Sequence, residues 1–435
     1  MKLTRCTWFL ALIVAVSFFA TACGGGQGSG SSKDITFWAA ANPPQRAFWT
    51  DMAKAYMAQH SDVKITVRPI PESPTSEAGI QAALAGNAAP TASENIFSGF
   101  GGQLAKDRAL VPLDQMPGWS DLIKARHMDQ TIQPWKFGDG HTYVLPMYSN
   151  AMLFGWRLDI LKQIGYDKPP QTYSQIIAMG QKLKQKFPDK FVWARDALAK
   201  NTWYERWFDF FTLYDAASNG QNITNGNKIS ADDQSAVGVL SFFRDLVQKK
   251  LLLTQTVTDP FENGVSVMDV IGPWRFSTWA DKYPKLKLNS NYVLTSPPVP
   301  DSYATSQPVK TFADAKGVAF YAQASSDQQA TMWQFVKWVL SDPQHDLTWL
   351  QQTNLPPARD DLATNDVFTS YFGQHPELSA YAKDIPNAVP PLKAPKYNSL
   401  QVSLGDQAVV PVVTSQKTPE QAWNDWKNAA LPMLQ

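Results

Sequence analysis

From residue 34 onward, short strand-like runs alternate with segments whose apolar residues recur at helical spacing. DITFWAA, VKITVRPI and ASENIF have the length and composition of strands, and each is followed by a helical pattern. This alternation predicts a mainly parallel sheet that is covered by helices on both faces. Ligands bind such sheets where the strands end, which here means around residues 38–42 and 94–99.

A second set of α/β elements follows the segment HTYVLPMYSNAMLFGW, which has the pattern of a strand, a proline-interrupted crossing and another strand. GVSVMDVIGPWRFSTW reads as a buried strand that stops at Gly272 and Pro273. A chain of 435 residues exceeds the size at which a single core keeps growing. We therefore predict two domains or lobes.

The first 33 residues have the pattern of an export signal followed by a linker. Lys2 and Arg5 precede an apolar run at residues 8–19, which is short for a membrane span because a helix there needs roughly 20 residues. Ala-Thr-Ala-Cys resembles a bacterial lipobox, which implies a signal peptide at 1–22 and acylation of Cys23. An ordinary cleaved signal and an uncleaved anchor are the alternatives. Residues 23–33 are rich in glycine and serine and predict a flexible tether.

Charge and cysteine content restrict the partners and the sites. Lys+Arg 39 against Asp+Glu 38 gives a net charge of +1, so neither nucleic acid nor an anionic lipid surface is expected as a partner. The two cysteines lie at positions 6 and 23, so we expect neither a disulfide nor a cysteine metal site in the mature fold. The five histidines show no metal-ligand spacing, and no metal or cofactor is predicted. The 16 tryptophans suit a core, and also a ligand with flat apolar faces such as a sugar ring.

The sequence lacks the short motifs of common catalytic sites. It contains neither a G-x-S-x-G nucleophile elbow nor a G-x-x-x-x-G-K-[ST] phosphate loop. A glycan hydrolase would need two carboxylates at a defined separation, and Glu94, Glu205, Asp209 and Asp314 are available. Because the sequence does not pair them, a secreted glycan-active hydrolase stays an alternative.

Four segments in register carry a resemblance that covers nearly the whole mature chain. They are AALAGNAAPTASENIFSGFGGQLAKDRALVPLD, GHTYVLPMYSNAMLFGWRLDILKQIGYDKPPQTYSQII, VSVMDVIGPWRF and MWQFVKWVLSDPQHDLTWLQQTNLPPARDDL. Behind a lipobox, they resemble the family 1 extracellular solute-binding proteins of ABC importers.

The resemblance implies an α/β fold of type II, with two lobes that close on a ligand about hinged chain crossings. Lobe one would comprise residues 34–147 and 317–355, and lobe two residues 148–316 and 356–435. The crossings would lie near residues 147–153, 312–317 and 355–358.

The resemblance also implies a set of ligand-binding residues. Trp274 and Arg275 are the firmest members, because the chain must turn out of the sheet after Gly272 and Pro273. The full predicted set is Trp38, Asn42, Glu94, Asn95, Ser98, Trp203, Tyr204, Trp274, Arg275, Asp314, Arg359 and Tyr397.

Three positions depart from the family pattern: Pro90-Thr91, Trp156-Arg157 and Thr172-Tyr173. The family that the chain resembles usually has Pro-Asp, Tyr-Asn and Thr-Trp at these positions. The loss of that Asp and that Asn puts local capping or hinge hydrogen bonds in doubt. Arg157 would pair with an acid or recognise an anionic substrate group, unless it is a surface arginine.

The function implied is that of a non-enzymatic, lipid-anchored subunit at the extracellular or periplasmic face of the cell membrane. It would capture a mono- or oligosaccharide or related polyol, deliver it to the permease subunits of an ABC importer, and act as a monomer. A binder of glycerol phosphate, a polyamine or a metal with the same fold is a further alternative.

Overall fold

The structure is a computed structural model. It describes residues 33–72, 75–200, 204–225, 228–303, 307–390, 394 and 396–435, and for residues 204–207, 397 and 398 it describes the backbone alone. The predicted acylation site Cys23 and the predicted ligand residue Trp203 lie outside the described residues.

The secondary structure follows the alternation predicted from the sequence. The strands are β1 Asp34–Ala39, β2 Lys64–Pro69, β3 Ala92–Phe97, β4 Val144–Tyr148, β5 Leu153–Trp156, β6 Phe191–Ala194, β7 Thr224–Asn225, β8 Lys228–Ile229, β9 Leu252–Leu253, β10 Ser266–Ile271, β11 Val293–Thr295, β12 Thr311–Phe312, β13 Lys316–Phe320 and β14 Ala388–Val389. The helices are α1 Pro43–Gln59, α2 Ser76–Ala85, α3 Ser98–Lys106, α4 Trp119–Ala125, α5 Leu158–Gln163, α6 Tyr173–Lys186, α7 Tyr204–Ala217, α8 Asp233–Gln248, α9 Arg275–Lys282, α10 Ser326–Ser341, α11 Pro343–Thr353, α12 Asp366–Gln374, α13 Pro376–Asp384, α14 Tyr397–Leu404, α15 Val410–Val413 and α16 Pro419–Leu434.

The first sheet has the strand order β2-β1-β3-β13-β4. Strand β1 pairs in parallel with β2 and β3, whereas β13 runs antiparallel to both β3 and β4. Four of the five strands therefore share one direction, as expected for a sheet built from β-α-β units. We call this sheet with its flanking helices lobe one.

The second sheet has the strand order β11-β5-β10-β6-β9. Strands β10, β6 and β9 are parallel, and β5 is antiparallel to β10 and β11. All six residues of β10 are buried, which is the burial expected of a central strand covered on both faces. We call this sheet with its flanking helices lobe two, so both lobes have the mainly parallel α/β architecture that the sequence predicted.

Three connecting segments lie side by side between the two sheets. The Met152 N–H donates to the Phe312 carbonyl at 3.0 Å, and the Asp314 N–H donates to the Asn150 carbonyl at 2.8 Å. The Ser149 N–H donates to the Pro356 carbonyl at 3.1 Å. These bonds join the same three segments that the sequence predicts as crossings, although the exact lobe boundaries stay a prediction.

A buried cluster of opposite charges supports this region from within lobe one. The guanidinium of Arg126 donates to both carboxylate oxygens of Asp346, at 2.8 and 3.1 Å, and to the carbonyls of Pro146 and Met147, at 2.6 and 2.7 Å. Arg359 donates to Asp346 at 3.0 Å. It also forms a two-bond pair with Asp361, at 2.8 and 2.9 Å. We call Arg126, Asp346, Arg359 and Asp361 the lobe-one cluster after its first two members, since Arg359 and Asp361 follow the third crossing, in the segment that the resemblance assigns to lobe two.

Candidate functional site

A cleft of about 700 Å³ lies between the start of α1 and the edge of the second sheet. Lobe one contributes Asn42, Pro43 and Pro44, the first crossing contributes Met152, and lobe two supplies the remaining described lining. Most of that lining comes from the segments 194–196, 255–262 and 269–283. The cleft thus lies at the carboxyl ends of β1 and β10, where a sheet of this type exposes backbone and side chains to a ligand.

The charged centre of the cleft is Arg275, the first residue of α9. Its guanidinium donates to Asp269 Oδ2 at 2.7 Å and to Glu262 Oε1 at 2.5 Å. Burial acts to lower the pKa of Arg275, but the charges of Asp269 and Glu262 outweigh it and raise the pKa above its ordinary value. We call Arg275, Glu262 and Asp269 the cleft cluster.

The two carboxylates of the cleft cluster are held differently. Asp269 Oδ1 accepts hydrogen bonds from the indole N–H of Trp193 at 3.1 Å and from the Val270 N–H at 2.9 Å. Glu262 Oε1 accepts a second bond from the indole N–H of Trp279 at 2.6 Å. Glu262 Oε2, in contrast, is buried and has no hydrogen-bond partner. One carboxylate oxygen in the cleft is therefore left for a donor from outside the protein.

Arg157 fixes the loop that carries Glu262. Its guanidinium pairs with Asp159 through bonds of 2.7 and 2.9 Å, and it donates to the carbonyls of Phe261 at 2.8 Å and Glu262 at 3.1 Å. Of the roles considered from the sequence, the structure gives Arg157 the pairing with an acid, and Arg157 is not among the residues that line the cleft. Its planar fork suits this bridging, because it binds a carboxylate and two carbonyls at once.

Aromatic faces form the apolar part of the cleft. The Trp274 ring lies directly over Gly272, so close that a Cβ placed at that glycine would come within 2.1 Å of the ring. Trp279 stacks on Phe261 at 5.9 Å between ring centroids and lies beside the Arg275 guanidinium at 5.3 Å. Trp274 and Trp279 both line the cleft, but Trp279 is only 4% exposed, so the partly buried ring of Trp274 is the flat apolar surface of the two that stands beside the charged groups.

Asn42 brings a polar group to the cleft from lobe one. It occupies the N-cap position of α1 but makes no side-chain capping hydrogen bond, and Pro43 follows at the first helical position. Its amide oxygen is buried without a partner. Since an N-cap Asn normally accepts from the helix N–H groups, this side chain is available for another donor.

The other predicted residues at the ends of β1 and β3 do not belong to the described lining of the cleft. Trp38 is partly buried against the main core. Glu94 is fully buried and accepts from the Ala40 N–H at 2.8 Å, and burial raises its pKa to about 7. Asn95 adopts φ 67° and donates to Ser76 Oγ at 3.3 Å, and Ser98 is buried at the start of α3.

The predicted residues from later in the chain also have other surroundings. Asp314 is buried at a crossing, where burial raises the pKa of its carboxyl, and Lys316 lies 3.8 Å away. Arg359 belongs to the lobe-one cluster, and neither residue lines the cleft. The side chains of Tyr204 and Tyr397 fall outside the described part of the structure. Asn42, Trp274 and Arg275 are thus the predicted residues that the structure brings together at the cleft.

Sequence reasoning missed several lining residues, among them Glu262, Asp269 and Trp279. Asp269 had a signal, because a lone carboxylate inside the apolar strand VSVMDVI must have a buried partner. Trp279 lies one turn after Arg275 in α9, a spacing that places both on one helix face. Glu262 lies in a loop without a pattern, and no sequence signal pointed to it.

The carboxylates considered for hydrolysis do not form a facing pair in the described lining of the cleft. Both oxygens of Asp209 accept from Arg195, at 2.8 and 3.0 Å, and Glu94 and Asp314 are buried outside the lining. The side chain of Glu205 is outside the described part. In the residues searched, His, Cys, Asp and Glu form no group of three that could hold a metal ion. Among the described helices, none combines the length and apolar character needed to cross a membrane.

Comparison with solved structures shows similarity along nearly the whole chain. An uncharacterized protein from Listeria monocytogenes EGD-e is 48% identical, covers 93% of this chain and 100% of its own, and has a TM-score of 0.81. The GacH receptor of Streptomyces glaucescens, solved in complex with acarbose, is 19% identical over 92% of this chain and 98% of its own, with a TM-score of 0.73. UgpB from Mycobacterium tuberculosis, solved in complex with glycerophosphocholine, is 15% identical over 92% of this chain and 97% of its own, with a TM-score of 0.74.

The last two likenesses show the two-lobed fold, which agrees with the fold class predicted from the sequence. A family model described as bacterial extracellular solute-binding protein matches residues 51–377, which include the second part of α1, four of the five strands of the first sheet, the whole second sheet and the cleft cluster. With a match over well more than half of its length, this chain belongs to the bacterial extracellular solute-binding proteins.

Proposed function

We propose that this protein is the lipid-anchored, extracellular substrate-binding subunit of an ABC importer and that its ligand is a carbohydrate or a related polyol. The observation that carries the proposal is the cleft between the lobes, where the partly buried ring of Trp274 lies beside the hydrogen-bonding groups of Glu262 and Arg275. A sugar has apolar ring faces and hydroxyls that both donate and accept, so it needs both kinds of group.

The proposed mechanism is capture by closure. Asn42 approaches the cleft from lobe one, and Trp274 and Arg275 approach it from lobe two. A ligand that contacts both sides is bound more tightly in the closed state, and this difference in affinity shifts the population toward closure. The importer's permease would then recognise the closed shape, and no chemistry on the ligand is required.

The hinge of this motion is proposed to be the three crossings at 147–153, 312–317 and 355–358. The segments are already joined by the hydrogen bonds from Met152 to Phe312 and from Ser149 to Pro356. Hinge closure needs only a few residues to change φ and ψ, so three adjacent segments can bend together while the sheets stay intact.

A titration panel tests the ligand class. Glucose, maltose, maltotriose, trehalose and raffinose are titrated calorimetrically, with glycerol 3-phosphate, glycerophosphocholine, spermidine, a tripeptide and Zn²⁺ as the non-sugar set. Saturable heat with at least one sugar is expected. Binding of a non-sugar with no heat from any sugar would refute the carbohydrate proposal while leaving the family intact. Release of reducing ends from a polysaccharide would instead support the hydrolase alternative.

The anchor has its own test. Several acyl chains on Cys23 would hold the protein at the membrane, since each buried CH₂ contributes roughly 0.8 kcal/mol. Cys23→Ala should move the protein from the membrane fraction to the medium or periplasm, with Cys6→Ala as the matched control that stays membrane-bound. A Cys23→Ala protein that remains in the membrane fraction would contradict the lipid anchor.

A further inference from the structure

The unsatisfied polar atoms of the cleft are both hydrogen-bond acceptors. In the described lining, the buried side-chain oxygens without a partner are Glu262 Oε2, on lobe two, and Asn42 Oδ1, on lobe one. The Glu262 side chain is only 4% exposed, so its unpartnered oxygen lies in a largely desolvated place. An unpaired buried acceptor is costly, and a ligand that brings a donor recovers that cost.

The cations of the cleft, in contrast, already have anionic partners. The described lining contains the guanidinium groups of Arg195 and Arg275 and the carboxylates of Asp196, Asp259, Glu262 and Asp269. Arg195 is paired with Asp209, which is fully buried. Arg275 is paired with Glu262 and Asp269. The two outer carboxylates are also engaged, Asp196 by Lys200 and Asp259 by Lys282.

This balance leaves the centre of the cleft acidic. The cleft cluster joins one guanidinium to two carboxylates, so it carries a net formal charge of −1 in a largely buried place. A phosphate or carboxylate placed against it would meet like charge and no uncommitted cation in the described lining. A hydroxyl or an amine there would instead donate to an oxygen that has no other partner.

We propose that Glu262 and Asn42 are a pair of acceptors, one from each lobe, that select a neutral or amine-bearing carbohydrate and reject its anionic derivatives. The proposal rests on the function proposed above and names the ligand class within it. Glu262 is thereby a specificity-determining residue, and Arg157 is the positioning residue that holds its loop through the carbonyls of Phe261 and Glu262. Because the two acceptors come from different lobes, a ligand bonds to both only when it bridges the cleft.

The test uses matched ligands and isosteric variants of the full chain. The probes are the tightest neutral sugar of the panel, its 1-phosphate and its 2-amino-2-deoxy derivative, titrated calorimetrically at fixed ionic strength. Wild type should bind the phosphate at least about a hundredfold more weakly than the neutral sugar, and the amino sugar at least as tightly as the neutral sugar. A phosphate that binds as tightly as the neutral sugar would overturn the proposal.

Glu262→Gln replaces the unpartnered acceptor with a donor while keeping the shape and an oxygen for Arg275 and Trp279. This variant should bind the neutral sugar at least about tenfold more weakly than wild type does. It should also narrow the difference in affinity between the neutral and the phosphorylated sugar. Asn42→Asp keeps an acceptor and adds a negative charge. Its affinity for the neutral sugar should stay within about threefold of the wild-type affinity, and its affinity for the sugar phosphate should fall further. Glu420→Gln, at an exposed position of α16, is the matched control and should change nothing.

The outcomes separate this inference from the function on which it rests. If wild type binds no sugar, the proposed function fails and this inference fails with it. If wild type binds sugars but Glu262→Gln leaves both the affinity and the selectivity unchanged, the inference alone is wrong. A thermal melt of each variant checks folding, and if Glu262→Gln does not fold, Asn42→Ala takes its place, with at least about a tenfold loss for the neutral sugar expected.

Discussion

The lobe-one cluster and the cleft cluster are built from the same groups, arginines and carboxylates, but they differ in how completely the protein satisfies them. In the lobe-one cluster, Asp346 receives three bonds from Arg126 and Arg359, and Arg126 also donates to two backbone carbonyls. In the cleft cluster, Arg275 meets two carboxylates, and Glu262 Oε2 is left without a partner. A complete cluster supports the fold, whereas an incomplete one at a cleft is suited to a ligand.

The location of the two clusters agrees with this difference. The side chains of Arg126 and Asp346 are 0% and 1% exposed, and Arg126 holds the chain at the start of the first crossing through the carbonyls of Pro146 and Met147. Arg275 is 22% exposed and faces the cleft. We therefore expect damage to the lobe-one cluster to appear in stability, and damage around the cleft cluster to appear in affinity.

The largest effect is expected from Asp346→Asn. This change leaves Arg126 and Arg359 buried without their shared countercharge, which should lower the free energy of unfolding by about 3–5 kcal/mol. Urea denaturation measures the loss, and Asp327→Asn, at an exposed position in the first turn of α10, should cost less than about 1 kcal/mol. Lost sugar affinity at unchanged stability would reverse the roles assigned to the two clusters.

Glu94 extends the comparison to a buried carboxyl of lobe one that accepts from the Ala40 N–H and the Gln45 side-chain amide. Its pKa is raised from 4.5 to about 7 by burial, so the native state holds a proton that the unfolded chain loses above pH 4.5. Stability should therefore fall as pH rises from about 4.5 to about 7 and be level above it, with a total of about 3 kcal/mol from this group.

Glu94→Gln should remove that part of the pH dependence. The free energy of unfolding is measured for wild type and for Glu94→Gln between pH 4 and 8. The difference between the two curves isolates the contribution of Glu94, because the contributions of other titrating groups cancel. A difference that does not change with pH would show that Glu94 titrates alike in the folded and unfolded chains.

Trp274→Ala tests the apolar part of the cleft. Removal of the ring should weaken sugar binding by at least about tenfold, because an aromatic face covers large apolar area, and it should leave the protein folded. Trp338, which packs beside Tyr56 and His345 on another face of lobe one, provides the control variant Trp338→Ala with unchanged affinity. Calorimetric affinity that is the same for wild type and Trp274→Ala would remove Trp274 from the site.

The smallest effect is expected from Arg157→Lys. Lysine keeps the charge but loses the fork that holds Asp159 and two carbonyls, so the Glu262 loop should loosen and sugar affinity should fall about two- to fivefold. Arg68→Lys, at an exposed position of the edge strand β2, is the control. An unchanged affinity would indicate that the loop is held in place without the fork.

Sequence reasoning located the strand ends of the cleft but not all of its members. Asn42 and Trp274 each follow a recognisable strand, and the rule that ligands bind at strand ends predicted both; both line the cleft, and their contact with a ligand stays a prediction. Glu94 follows the same rule, yet the structure buries it, because its carboxylate turns back to accept from the Ala40 N–H. The rule gives the edge of the sheet and does not give the direction of each side chain.

Arg275 and Arg359 illustrate the same limit for charged residues. Both follow a Gly-Pro or Pro-Pro turn in the sequence, and both were predicted to meet the ligand. Arg275 lines the cleft, whereas Arg359 pairs with Asp346, whose other partner Arg126 lies 220 residues away along the chain. Partners so far apart are brought together by the fold alone.

The sequence by itself determined the α/β alternation, because hydrophobic periodicity is a local pattern, and its resemblance to a known family indicated the two-lobed fold and the family. It also indicated the three crossings and the positions of Asn42 and Trp274 near strand ends. Only the tertiary structure decided which arginine is satisfied inside the protein and which faces the cleft, and that Glu262 keeps an unpartnered oxygen there. Those facts depend on contacts between distant segments, and such contacts leave no periodic signal in the chain.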